Sequence, residues 1–110
     1  MKCLEEKMKN NIRLITLCGS MKFQKEMQEI SGKLELEHHC IVIQCAYFEK
    51  ESDLSAEDIA RLREIHYQKI AMSDAIYVMN VGGYIGESTR REIAYAVSLG
   101  KEIFSLEPLS

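Results

Sequence analysis

No apolar run in this sequence approaches the ~18 residues that a membrane-spanning helix needs, no two cysteines have CxxC spacing, and positive charge is not in excess. The first absence predicts a protein that does not cross a membrane. The opening segment, residues 1–11, is charged and lacks the apolar centre of a signal peptide, so it reads as an N-terminal extension of an unexported chain. Cys3, Cys18, Cys40 and Cys45 lie mostly in or beside apolar runs, where a thiol behaves as a small hydrophobe, and this predicts reduced cysteines and a cytoplasmic location. His38, His39 and His66 lack metal-ligand spacing and read as surface or helix-packing residues, so neither a metal nor a cofactor is expected. The formal net charge of −3 argues against a nucleic-acid polymer as partner, because phosphate-backbone binding draws on a clustered cationic excess.

What is present is one domain. A chain of 110 residues can bury roughly two thirds of its unfolded surface in one core, and no internal repeat or low-complexity segment divides it. Ile12 to Cys18 is short, β-branched and apolar, and it ends at Gly19-Ser20, as a buried strand entering a turn does. From Met21 to about Glu37, Phe23, Met27, Ile30 and Leu34 recur at three- and four-residue steps, which predicts an amphipathic helix. Cys40 to Cys45 repeats the strand composition, and a polar loop, Ala46 to Asp53, follows it. Ser55 with Asp58 offers an N-cap for a helix running to about Met72, with Ile59, Leu62, Ile65 and Ile70 as its inward stripe.

A third strand is expected at Ala75 to Asn80 and a fourth at Glu102 to Leu106, before the single proline, Pro108. Between them lies a helix from about Thr89 to Leu99, closed by Gly100. Strands alternating with helices imply a parallel sheet with right-handed crossovers. The expected fold is α/β, a small Rossmann/flavodoxin-like three-layer sandwich with four parallel strands in the order 2-1-3-4. Ligands bind such sheets beyond the carboxyl ends of the strands where the order reverses, here between strands one and three.

That rule brings two turns together. Gly19, Ser20 and Lys22 stand where the first strand enters the first helix. They offer N–H groups, a hydroxyl and a cation to a phosphate or ribose; alternatively Gly19 permits the turn and Ser20 caps the helix. The second turn, Val81 to Glu92, carries Gly82, Gly83 and Gly86, then Ser88 and Thr89. Glycine allows close approach of backbone and positive φ, and a helix start attracts anions. Tyr47, in the loop after the second strand, is placed beside both turns by topology alone. One of Arg90 and Arg91 is expected to pair with Glu87 or with a ligand, and Asp74 to be a turn residue at the amino edge. Glu92 has two readings: Thr89-x-x-Glu92 matches a capping box, or the carboxylate attacks or stabilises an electron-poor sugar carbon.

The segments ITLCGSMKF and SDAIYVMNVGGYIGESTRREIAYAVSLGKEIFSLE resemble the nucleoside 2-deoxyribosyltransferase-like family, which includes deoxynucleoside monophosphate N-glycosidases. The similarity spans about Ile12 to Glu107. It implies cleavage or transfer at the N-glycosidic bond of a deoxynucleoside or its 5′-monophosphate. It gives Glu92 the part of nucleophile, Gly19 and Ser20 contacts to the substrate, and Ser88 a hold on its 5′ end. The position where many of these transferases carry an aspartate is Gly86 here, a departure that weighs against base exchange. The chain is short for the family, so a homo-oligomer that completes the pocket is expected. Two other readings stand beside this one: a non-catalytic nucleotide-binding or sensing module, and a phosphoribohydrolase with a Gly-Gly-x-Gly-Thr loop, whose spacing Gly82 to Gly86 matches less well.

Overall fold

A computed structural model describes residues 12–48 and 51–109; the charged segment 1–11, with Cys3, lies outside the described residues. The strands are β1 (Arg13–Cys18), β2 (Cys40–Ile43), β3 (Ala75–Val78) and β4 (Glu102–Ser105), and the helices are α1 (Gln24–His38), α2 (Ala56–Met72) and α3 (Glu87–Ser98). Short 3-10 turns stand at Met21–Phe23, Glu51–Asp53 and Val81–Gly83. All strand pairs are parallel and the order is β2-β1-β3-β4, as expected from the sequence. Strands β2, β3 and β4 end at Ile43, Val78 and Ser105, before the ends of their expected runs, although the Met79 and Leu106 N–H groups still donate to the Cys18 and Val78 carbonyls. Among the described residues, no helix is long and apolar enough to cross a membrane.

Side chains alternate across β1 and give each face of the sheet its own core. Leu17 meets Phe23, Met27 and Leu34 under α1, together with Met79. Cys18 turns the other way and joins Ile70 of α2, Ile76 and Val78 of β3, and Ala96 of α3. The polar atoms of that second face are satisfied locally: the Thr16 and Ser73 hydroxyls meet at the Lys69 carbonyl, one donating to that carbonyl and the other to its fellow hydroxyl. Asp74 marks the amino edge, where its Oδ2 accepts from the Leu14 N–H at 2.8 Å.

The helix ends follow their sequence signals. Ser55 and Asp58 close a reciprocal capping box at the start of α2. At the end of α3, Gly100 (φ +72°) donates to the Val97 carbonyl and Lys101 to the Ala96 carbonyl, which is the Schellman pattern. Helix α1 ends instead on His39, a non-glycine residue at φ 54°. The left-handed region costs an L-residue with a Cβ roughly 1–2 kcal/mol, and glycine returns part of that as unfolded-state entropy. His39→Gly is therefore expected to raise the urea midpoint modestly; a lowered midpoint would count against this cap.

The inward stripe of α2 differs from expectation. Ile70 is fully buried, but Ile59 and Ile65 are 41% and 48% exposed. The first turns of α2 extend past the sheet's carboxyl rim, so residues with core-like spacing line a cleft mouth instead of a core.

Candidate functional site

A cavity of about 830 Å³ opens at the carboxyl rim between α2 and the start of α3, within the usual range of small-molecule sites, about 300–1,000 Å³. Both turns anticipated from the sequence reach it. Gly19, Ser20 and Lys22 line one side, and Gly86, Ser88 and Glu92 line the other.

Gly19 is required by close packing. A Cβ there would lie 3.2 Å from Met79 Cβ and 3.3 Å from both Met27 Sδ and the Met79 carbonyl oxygen. Overpacking of this kind costs about 1–3 kcal/mol, and the carbonyl belongs to the neighbouring turn. Gly19→Ala is thus expected to lower the thermal midpoint and weaken ligand binding together, as scanning calorimetry and titration would show. Ser20 has extended backbone geometry and its Oγ accepts from the Lys22 N–H at 3.3 Å, so it caps the short turn before α1. The Lys22 ammonium sits 3.4 Å from the centroid of the Tyr84 ring, whose edge meets Phe23 with centroids 6.0 Å apart. This cation–π bridge links the two turns across the cavity mouth.

Three anticipated ligand positions do not line the cavity. Gly82 and Gly83 have φ of +64° and +81° and build the turn itself, and the Gly83 N–H donates to Glu107 Oε2 at 3.1 Å. Asn80 locks the same segment from below: its amide exchanges two hydrogen bonds, each 2.9 Å, with the backbone of Glu107. Tyr47 packs against the α1-side core and donates its hydroxyl to Gln44 Oε1 at 2.8 Å; burial pushes its pKa up to about 12. The neighbours of Tyr47, Ala46 and Phe48, line the cavity in its place.

Helix α3 begins earlier than the sequence suggested. Its N-cap is Gly86, with no side-chain cap, so Thr89 stands inside the first turn, 4% exposed, and Glu92 lies in the second turn. The capping-box reading of Thr89 and Glu92 is therefore corrected: Glu92 is too far along the helix to reach the N-cap N–H. Arg91 pairs with Glu87 at 2.8 Å, as anticipated for one of the two arginines.

Glu92 instead turns into the protein. Its side chain is 15% exposed, and Oε1 lies 3.4 Å from Nε2 of His66, a residue of α2 that is itself 12% exposed. The same Nε2 lies 3.6 Å from Sγ of Cys18, the last residue of β1. Burial, with the Glu92 carboxylate second, holds the Cys18 thiol well above its ordinary range, and burial raises Cys45 to about 12. At neutral pH both are protonated thiols. Iodoacetamide at pH 8 is expected to leave Cys18 and Cys45 unmodified in the native protein and to label them in denaturant, as peptide mass spectrometry would report; rapid native labelling would contradict this burial.

The sequence analysis did not bring His66 or Cys18 to Glu92. One signal was available: His66 stands four residues before Ile70 and three before Lys69, hence on the face of α2 that meets the sheet.

No protein-family model and no curated protein matches this chain. Among solved structures it is similar to the CMP N-glycosidase BcmB of Clostridium botulinum, with a TM-score of 0.55 and 22% identity over 84% of this chain and 67% of that one. At this level of identity the likeness is one of fold.

Proposed function

We propose that this protein cleaves the N-glycosidic bond of a nucleotide, a deoxynucleoside or its 5′-monophosphate, with Glu92 as the nucleophile. One observation carries the reading: a carboxylate, mostly shielded from solvent, lines the cleft at the point where the strand order reverses. The resemblance to nucleoside 2-deoxyribosyltransferases and the structural likeness to a CMP N-glycosidase support it. So do Lys22 and Arg63, cations on the cavity wall suited to a phosphate.

In this mechanism a Glu92 oxygen bonds to C1′ as the C1′–N bond breaks, and the electron pair leaves with the base, which is then protonated from solvent. Water next attacks C1′, frees the carboxylate and leaves its proton in solution. His66 orients the carboxylate from 3.4 Å.

Incubation with ribo- and deoxyribonucleosides and their 5′-monophosphates, followed by chromatography for free base, tests the proposal. Base release from at least one monophosphate is the expected result. A second reading, a binding module without turnover, is favoured by the partner that Glu92 already has in His66. Ligand-dependent melting shifts with no base released would select it, since a ligand bound only to the native state raises the midpoint by mass action.

The chain is further proposed to work as a homo-oligomer. Phe48, Ile59 and Ile65 leave an apolar border, each more than 40% exposed, at the cavity mouth. Such a border is suited to burial against a second copy. A dimer in sedimentation that Ile65→Asp converts to monomer is expected; a monomeric wild type would refute it.

A further inference from the structure

Cys18, His66 and Glu92 come from three elements, β1, α2 and α3, and converge beneath the cavity: His66 and Glu92 line it, and Cys18 is fully buried behind them. Their donor atoms, Sγ, Nε2 and a carboxylate oxygen, all lie within 4.8 Å of one another. From this convergence we propose that the protein binds Zn²⁺ through Cys18, His66 and Glu92, with the fourth coordination position facing the cavity.

Two geometric points separate a metal site from a catalytic relay. In a Cys-His-carboxylate relay the two imidazole nitrogens divide the work, one facing the thiol and the other the carboxylate. Here one nitrogen, Nε2, faces both, so the three groups point to a common centre. The spacings also match. Zn–S of about 2.3 Å and Zn–N and Zn–O of about 2.1 Å at tetrahedral angles place S···N about 3.6 Å and N···O about 3.4 Å apart. The observed separations are 3.6 Å and 3.4 Å. A thiolate, an imidazole and a carboxylate form a donor set that suits zinc, and three protein ligands with one open position is the pattern of reactive rather than structural zinc sites. Binding displaces the Cys18 proton to solvent, as thiolate ligation requires.

The site is separable from the function proposed above. Where both hold, Zn²⁺ occupies the carboxylate oxygen that would attack C1′, and the metal inhibits base release. Where no base is released, the metal site stands or falls by itself.

Titration of the full chain with Co²⁺, the spectroscopic stand-in for Zn²⁺, reads the site directly. Expected are a near-ultraviolet thiolate-to-cobalt charge-transfer band, strong visible bands of a tetrahedral centre, saturation at one equivalent, and loss of all of these on adding Zn²⁺. Cys18→Ser abolishes the charge-transfer band. His66→Ala weakens binding by more than roughly 100-fold, beyond the 10–100-fold typical of an outer-shell partner, and it carries the test if the buried serine variant fails to fold. Cys40→Ser, at the amino end of β2, leaves the titration unchanged. The proposal is overturned if no charge-transfer band forms, if the band survives in a folded Cys18→Ser, if His66→Ala binds Co²⁺ as tightly as wild type, or if the band disappears with Cys40→Ser.

Discussion

Glu92→Gln is expected to lower the rate of base release from the preferred nucleotide by roughly 10³-fold or more, against losses of order 10⁶ for removal of a nucleophile in a well-studied hydrolase. Glutamine has almost the same shape and can still hydrogen-bond His66, so the thermal midpoint is expected to move by only about a few degrees. What is lost is the anionic oxygen that bonds to C1′. Steady-state rates at saturating and at low substrate separate the causes: a nucleophile defect lowers kcat and kcat/KM together, whereas a binding defect raises KM alone. Denaturing mass spectrometry of rapidly quenched wild type should also carry a glycosyl adduct that the variant lacks. Undiminished base release by Glu92→Gln would remove Glu92 from the chemistry, whatever its burial.

The largest expected loss of stability follows Leu17→Ala. Leu17 is fully buried on the central strand, among Phe23, Met27, Leu34 and Met79. These neighbours come from a helix, a rim turn and the strand end, and only the unbranched side chains of Met27 and Met79 can fill part of the space. The deletion should therefore cost about 2–5 kcal/mol, a large share of the roughly 5–15 kcal/mol that holds a domain together. Urea denaturation read by circular dichroism measures it. Ile65→Ala is the contrasting case: within the single chain Ile65 is 48% exposed, so at dilutions where the proposed dimer dissociates its effect is expected to stay within about 0.5 kcal/mol. A Leu17→Ala cost below about 1 kcal/mol would mean that α1 does not cover this face of β1.

These two residues also show what was legible beforehand. Leu17 sits in the stretch Leu14 to Cys18, whose one polar residue is Thr16, and such a stretch is buried in almost any parallel sheet. Strand order followed from the alternation of elements and the handedness of crossovers. Ile65 repeats at helical steps just as Ile70 does, yet periodicity identifies a face without saying where along the helix the sheet beneath it ends. Beyond the rim the same face meets the cavity.

The site was legible in half. The turn at Gly19 and the helix start at Gly86 are punctuated by glycine and serine, and both line the cleft. The side of the pocket supplied by α2 was not, because His66 lies 48 residues from Cys18 and joins it only through the crossover. Gly82 and Gly83 stand in the turn and off the cavity wall: positive φ serves a chain reversal as readily as a ligand, and the N–H of Gly83 donates to Glu107.

The parallel sheet has a further consequence for synthesis. β1 is made first but holds a central place, with Ile15 set against Val42 on one side and Ala75 on the other. At about 5–20 residues per second, a ribosome delivers the second neighbour several seconds after the first residues of β1 have been joined. Through that interval the nascent chain carries an unpaired, strongly apolar edge, the kind of surface that chaperones engage and that seeds aggregation when expression is fast. Weaker induction, which lowers the number of such chains present at once, should thus raise the soluble yield of this protein more than a change in its surface charge.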